Sequence, residues 1–109
     1  MTSLHTKTCI PCQGGVPSLL GLEAEKLLAK VENWQFFDGN KKIQRKFIFS
    51  NFLKAQEFAQ KVGDIAESEN HHPDICYGWG YCTVTLYTHE IGGLHENDFI
   101  VAAKINQLL

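Results

Sequence analysis

The sequence predicts an α+β fold in the order α-β-β-α-β-β-α, a four-stranded antiparallel sheet with its helices packed on one face. Three observations carry this. A long apolar period of three and four residues runs from Ser50 to Glu69, a turn-centred strand pair lies on either side of it, and helix-type periodicity occurs near both ends. Two hairpins separated by a long helix close as one sheet whose apolar face the helices cover. The other face or an edge then remains open for oligomerisation.

Residues 1–20 carry two of the three prolines and the Gly14-Gly15 pair with little periodicity, which predicts a flexible N-terminal arm and a folded domain over 21–109. From Gly21, the residues Leu22, Leu27, Leu28 and Val31 in a Glu-, Ala- and Lys-rich setting predict an amphipathic helix ending near Asn33. Trp34, Phe36 and Phe37 then lead into the turn Asp38-Gly39-Asn40. After it Ile43, Phe47 and Phe49 alternate with Gln44, Lys46 and Ile48, with Arg45 the one polar residue on the apolar face. Ser50 is placed to cap the long helix, whose inner face is Phe52, Ala55, Ala59, Val62 and Ala66. Pro73 disfavours helical geometry at His72, so the helix ends before it and an extended segment runs from Asp74 to Trp79. Gly80 supplies a turn, the β-branched run Cys82 to Thr88 a strand, and Gly92-Gly93 its end. A last helix begins around His95 to Asp98, with acidic residues at its positive end, and runs through Phe99, Val101, Ala102, Ile105 and Leu108.

Composition narrows the function classes. At 109 residues and 44% hydrophobic, the chain has room for one domain with its own core. Ten basic against twelve acidic residues leave a net charge of −2, so there is no basic field for nucleic acid or anionic lipid. No apolar run approaches the roughly 20 residues of a membrane span, and Met1 to Cys12 lacks the features of a leader, so a cytoplasmic location is expected. Four cysteines, Cys9, Cys12, Cys76 and Cys82, are too unevenly placed for a disulfide scaffold and are expected as thiols. Cys9-Ile-Pro-Cys12 has the spacing of a metal knuckle, but Cys76 and Cys82 do not complete a four-cysteine set.

The groups suited to chemistry are histidines. His71 and His72 sit where a helix hands over to a strand, and His89 follows the last strand. Each taken alone fits a surface or structural histidine as readily as a catalytic one.

Together they do more, because Glu67-Ser-Glu-Asn-His71-His72-Pro73, Trp79, Thr88-His89, Gly93-Leu94 and Asp98 resemble the signature of the pterin-4a-carbinolamine dehydratase family. The resemblance extends from about Gly21 to the C-terminus and includes the run Asn51 to Phe58. It implies an enzyme that removes water from 4a-hydroxytetrahydropterin, the product of aromatic amino-acid hydroxylases, to give quinonoid dihydropterin. It implies no metal and no other cofactor. Loss of the hydroxyl needs an acid and loss of the N5 proton needs a base, and histidine does either near neutrality. By resemblance His71 and His89 transfer protons, in an order left open, and His72 binds the hydroxyl. Glu67, Asn70, Tyr87, Thr88 and Glu90 fall in the segments that contact pterin in the family. Trp79 reads equally as an aromatic wall or as core, and Asp98 as a site residue or a helix-dipole partner. Two departures, Tyr87 and Asn70, stand where animal members have a small polar residue and an aspartate. The expected partners are the pterin, a second copy or more of the chain as homodimer or homotetramer, and functionally a hydroxylase, with no nucleic acid and no membrane. Two other readings are open. One is a non-catalytic dimerisation cofactor, a role animal relatives also have, and the other a zinc-binding interaction domain built on the cysteines.

Overall fold

The structure, a computed structural model, describes residues 3–10, 18–19 and 21–109. Its elements are α1 (Gly21–Leu28), β1 (Gln35–Phe37), β2 (Lys42–Ile48), α2 (Phe52–Glu69), β3 (Asp74–Gly78), β4 (Tyr81–Leu86) and α3 (Glu96–Asn106). The four strands form one antiparallel sheet in the order β1-β2-β4-β3. This is the α+β architecture that the residue periods predict.

Side-chain alternation explains the layering. In the β2–β4 register Ile43 faces Leu86, Arg45 faces Val84 and Phe47 faces Cys82. These positions share one side of the pleat, and all but Arg45 are buried. They meet Phe58, Ala59 and Val62 of α2 and Phe99, Ile100, Val101 and Ile105 of α3 in a single core. Gln44, Lys46 and Ile48 point the other way, and Ile48 stays 73% exposed. Arg45 is accommodated at the rim of the apolar face. Its guanidinium lies 4.4 Å from the Phe47 ring centre and donates to Asn106 Oδ1 at 2.7 Å and to the Glu32 carbonyl at 3.2 Å.

Four boundaries differ from the sequence reading. Helix α1 stops at Leu28, because the chain tightens into i→i−3 bonds at Lys30 and Val31 and turns left-handed at Asn33 (φ 67°), which drives Val31 and Trp34 into the core. The cap of α2 is Asn51, whose Oδ1 accepts from Lys54 N at 2.8 Å; Ser50 is one residue too early for that reach. Strand β3 stops at Gly78, and β4 spans 81–86, because Thr88 leaves the ladder to pair with Gly93. Gly80 takes φ 83° in the intervening turn, where its carbonyl accepts from Phe49 N at 2.8 Å.

The arm differs most. Residues 3–10 are packed rather than loose: Leu4 is buried in the core, and Leu4–Thr6 forms a 3-10 turn against α3. The Lys104 ammonium donates to the His5 carbonyl at 3.0 Å, and Lys7 pairs with Glu96 at 2.9 Å. Periodicity does not register such a segment, because it is held by backbone groups, one ion pair and single apolar side chains such as Leu4. The glycine pair and Cys12 lie outside the described residues.

Asn106 ties the far end together, its Oδ1 also accepting from Trp34 Nε1 at 2.8 Å and its Nδ2 donating to the Glu32 carbonyl at 3.1 Å. Replacing Asn106 with Ala is expected to lower stability by about 2 kcal/mol, since Trp34 Nε1 loses its partner and Arg45 Nη1 and the Glu32 carbonyl each lose one of two. Urea unfolding with an unchanged m-value checks it.

Candidate active site

The site grows out of the way α2 ends. Asn70 adopts the left-handed conformation (φ 51°), its N–H bonds the Glu67 carbonyl at 3.2 Å, and the His71 N–H bonds the Ala66 carbonyl at 3.1 Å. These two bonds are the Schellman closure of a helix, with asparagine in the place usually held by glycine. They fix the backbone of His71 against the last turn, and Pro73 starts the extended run of β3.

The ring of His71 reaches Asp98 in the first turn of α3, with Nε2 2.6 Å from Oδ1. Asp98 is fully buried. Its second oxygen accepts from Thr88 Oγ1 at 2.8 Å and from His95 N at 3.0 Å. An ionised carboxylate in such a place needs donors. As an acceptor it assigns a proton to Nε2 of His71, and in the neutral form of the imidazole the lone pair is then on Nδ1. Nδ1 has no hydrogen-bond partner among the described residues, and the His71 side chain is 10% exposed. His71 lines a cleft of about 200 Å³ together with Asn70, Glu69, Glu90, Asn97, Cys9 and Ile10.

Of the residues the sequence singles out, His71, Thr88 and Asp98 form one hydrogen-bonded chain, and Asn70 and Glu90 share the cleft with His71. Thr88 and Asp98 are at 0% exposure, behind His71 rather than on the cleft surface. His72 Nε2 lies 2.6 Å from Glu67 Oε1 at the surface. His89, exposed in a short 3-10 turn (His89–Ile91), stacks against Tyr87 with ring centres 4.1 Å apart, and the Lys42 ammonium lies 4.4 Å from the Tyr87 ring centre. Trp79 is not brought to the histidines. It is 71% exposed in the β3–β4 turn, five residues along an extended run from Asp74, which is about 16 Å at the usual strand rise. In this chain it is neither core nor a wall of the cleft.

The sequence reading assigns no site role to four cleft residues, Glu69, Asn97, Cys9 and Ile10, having weighed Cys9 only as a thiol or metal ligand. Asn97 is 2% exposed, and nothing in its neighbourhood along the chain separates it from an exposed helical asparagine. The ring of His95, a histidine outside the signature, is spent as the cap of α3, Nδ1 accepting from Asn97 N at 3.0 Å. A larger hollow of about 540 Å³ lies between Leu4, Lys30 and Asn106, without any of the three histidines of the signature. Among the described residues no three His, Cys, Asp or Glu side chains are grouped to hold a metal ion, and no helix is long and apolar enough to cross a membrane.

The fold is a two-layer α+β domain with a carboxylate-held imidazole beside a small polar cleft. Comparison with known proteins identifies the family. The family model for pterin 4 alpha carbinolamine dehydratase matches residues 18–108, and the chain belongs to that family. A protein of Methylococcus capsulatus, provisionally named a pterin-4-alpha-carbinolamine dehydratase, is 57% identical over 106 residues, covering 97% of this chain and 93% of that one. A Rubrobacter xylanophilus protein with the same provisional name is 47% identical over 108 residues, covering 99% and 100%. Among solved structures, a transcriptional coactivator/pterin dehydratase from Brucella melitensis superposes with a TM-score of 0.78 at 33% identity, over 84% of this chain and 97% of that one. A pterin dehydratase-like RuBisCO assembly factor of the α-carboxysome shares the fold at a TM-score of 0.60 and 20% identity, over 71% of this chain and 89% of that one.

Burial and the adjacent Glu69 carboxylate push the Cys9 thiol up to about 12, so it stays protonated near neutrality. Alkylation of Cys9 by iodoacetamide at pH 8, followed by peptide mass spectrometry, is expected to be at least about 10²-fold slower in the folded protein than in the urea-unfolded chain, because only the thiolate reacts.

Proposed function

We propose that the chain dehydrates a 4a-hydroxytetrahydropterin to the quinonoid dihydropterin by histidine acid–base catalysis, in the recycling of the pterin used by aromatic amino-acid hydroxylases. The observation that carries this reading is the His71–Asp98 pair at the edge of the cleft. Asp98 holds the imidazole in one tautomer and orientation, and the lone pair on Nδ1 is then the proton acceptor on the side of the ring away from Asp98. A cleft of about 200 Å³ is below the roughly 300–1,000 Å³ of sites for drug-sized ligands, which suits one bicyclic ring with its side chain outside.

The step balances without an oxidant. The N5–H proton passes to His71 Nδ1, the N5 electron pair forms the C4a–N5 double bond, and the C4a–O bond breaks. The departing oxygen takes a proton from protonated His89 and leaves as water. Solvent returns the proton from His71 to His89, so the net change is loss of one water. His72, next in sequence to His71 and bonded to Glu67 on the surface, binds the hydroxyl, and Asn70 and Glu90 offer polar contacts to the ring. No metal or other cofactor takes part in this scheme, and the cytoplasm is where such recycling would run.

The same reading includes a homodimer or homotetramer. Strand β3 is an open edge of the sheet, and the exposed Ile48, Phe52, Leu53, Tyr77 and Trp79 lie at the β2–α2 and β3–β4 turns beside it. Those exposed apolar side chains also favour a second, protein-binding role, of the kind that the Brucella melitensis protein's name, transcriptional coactivator/pterin dehydratase, gives to that protein.

Loss of freshly generated 4a-hydroxytetrahydropterin, followed by absorbance with and without the protein, tests the activity. His71→Ala and His89→Ala are each expected to lower kcat by about 10²-fold or more with the fold intact by circular dichroism, and His72→Ala to act mainly by raising KM. An absence of acceleration by the unmodified protein contradicts the reading.

Protein treated with a chelator and freed of bound metal is expected to turn over at the untreated rate. Activity that vanishes on chelation and returns with zinc would assign the chemistry to a metal site instead.

A further inference from the structure

The cleft has a wall that does not belong to the sheet or its helices. Residues 7–10 run past the junction of α2 and α3 and are tied to both. Lys7 pairs with Glu96, and the Cys9 N–H donates to Glu69 Oε1 at 2.7 Å. Asn97 then grips the next peptide from both sides, its Oδ1 accepting from Ile10 N at 3.1 Å and its Nδ2 donating to Ile10 O at 2.6 Å. This two-point grip imitates a strand pairing and fixes where the Ile10 side chain points. Asn97 is buried and adjacent in sequence to Asp98, so the segment that orients His71 also sets the position of Ile10.

Ile10 is nevertheless 61% exposed, and it lines the cleft. The rest of that lining is polar, Glu69, Asn70, His71, Glu90 and Asn97, apart from Cys9, whose thiol is uncharged near neutrality. An aliphatic side chain held firmly yet left open on a polar cleft costs apolar hydration that a ligand can remove. A planar heteroaromatic ring has the two surfaces this arrangement needs: a polar edge for the imidazole and carboxylates, and an apolar face or edge for an isoleucine.

We propose that Ile10 is a specificity-determining residue of the cleft, packing against the pterin ring, and that Asn97 is the positioning residue that holds it there. This rests on the dehydratase reading and adds to it a contact from the N-terminal arm. Ile10 takes no part in proton transfer, so its effect falls on ring binding alone.

The test uses the full chain, with oxidised biopterin as a non-reacting probe and 4a-hydroxytetrahydropterin as substrate. Ile10→Ala is expected to weaken biopterin binding and raise KM by about 5- to 10-fold, the loss of one to two methylenes' worth of buried contact, with kcat within about twofold. Ile10→Leu is expected to restore both within about twofold. Asn97→Ala is expected to weaken binding similarly and to abolish hydrogen-exchange protection at the Cys9 and Ile10 amides. Should Asn97→Ala fail to fold, the two Ile10 variants decide the matter, since they leave the backbone grip in place. An unmodified protein that turns over substrate while Ile10→Ala binds biopterin and reacts with unchanged constants overturns the Ile10 contact and leaves the dehydratase reading standing. An unmodified protein that neither binds biopterin nor dehydrates the substrate overturns both.

Discussion

A carboxylate without solvent exposure has to find donors inside the protein, and Asp98 finds three: the His71 imidazole, the Thr88 hydroxyl and the His95 backbone. They come from three separate segments, the exit of α2, the exit of β4 and the start of α3. The cost of burying a charge is met only when all three are in place, so the network works as a geometric constraint on where those segments meet. The cleft beside His71 and the docking of the arm on Asn97 both lie next to that point.

The scaffold makes the meeting possible. Strand β4 is central in the sheet and its inward side chains are fully buried, so the position of Thr88 beyond its end follows from the packing of Cys82, Val84 and Leu86. The Schellman closure at Asn70 does the same for His71 at the end of α2, and the reciprocal cap of His95 and Asp98 does it for α3. In each case a rigid element delivers a side chain at its terminus, where the backbone is free to turn towards a ligand. His72 and His89 are held more loosely, one by a surface carboxylate and one by stacking on Tyr87.

What could be read from the sequence follows the same physics. The 3.6-residue period of α2 and the alternation in β2 were legible because burial imposes them residue by residue, and the family resemblance placed His71, Thr88 and Asp98 together. The end of α1 was not, since Val31 keeps the helical period while in fact filling the core after the helix has ended. Trp79 shows the opposite error: a large aromatic in a strand context suggests a wall or a core, and only the hairpin geometry sends it to the far turn. Asn97 and Ile10 were invisible for a third reason. Their roles rest on side-chain-to-backbone bonds across some 87 residues of chain, which leave no periodic trace.

Everything proposed for the cleft depends on Asp98 fixing the His71 ring with the proton on Nε2 and a lone pair on Nδ1. Nitrogen-15 NMR of histidine-labelled protein at pH 8 reads this directly. The expected spectrum has a protonated-type Nε2 and an unprotonated-type Nδ1 for His71, with Nδ1 the nitrogen that shifts when biopterin is added and the preference lost in Asp98→Ala. A proton resting on Nδ1, or a tautomer preference indifferent to Asp98, would contradict it.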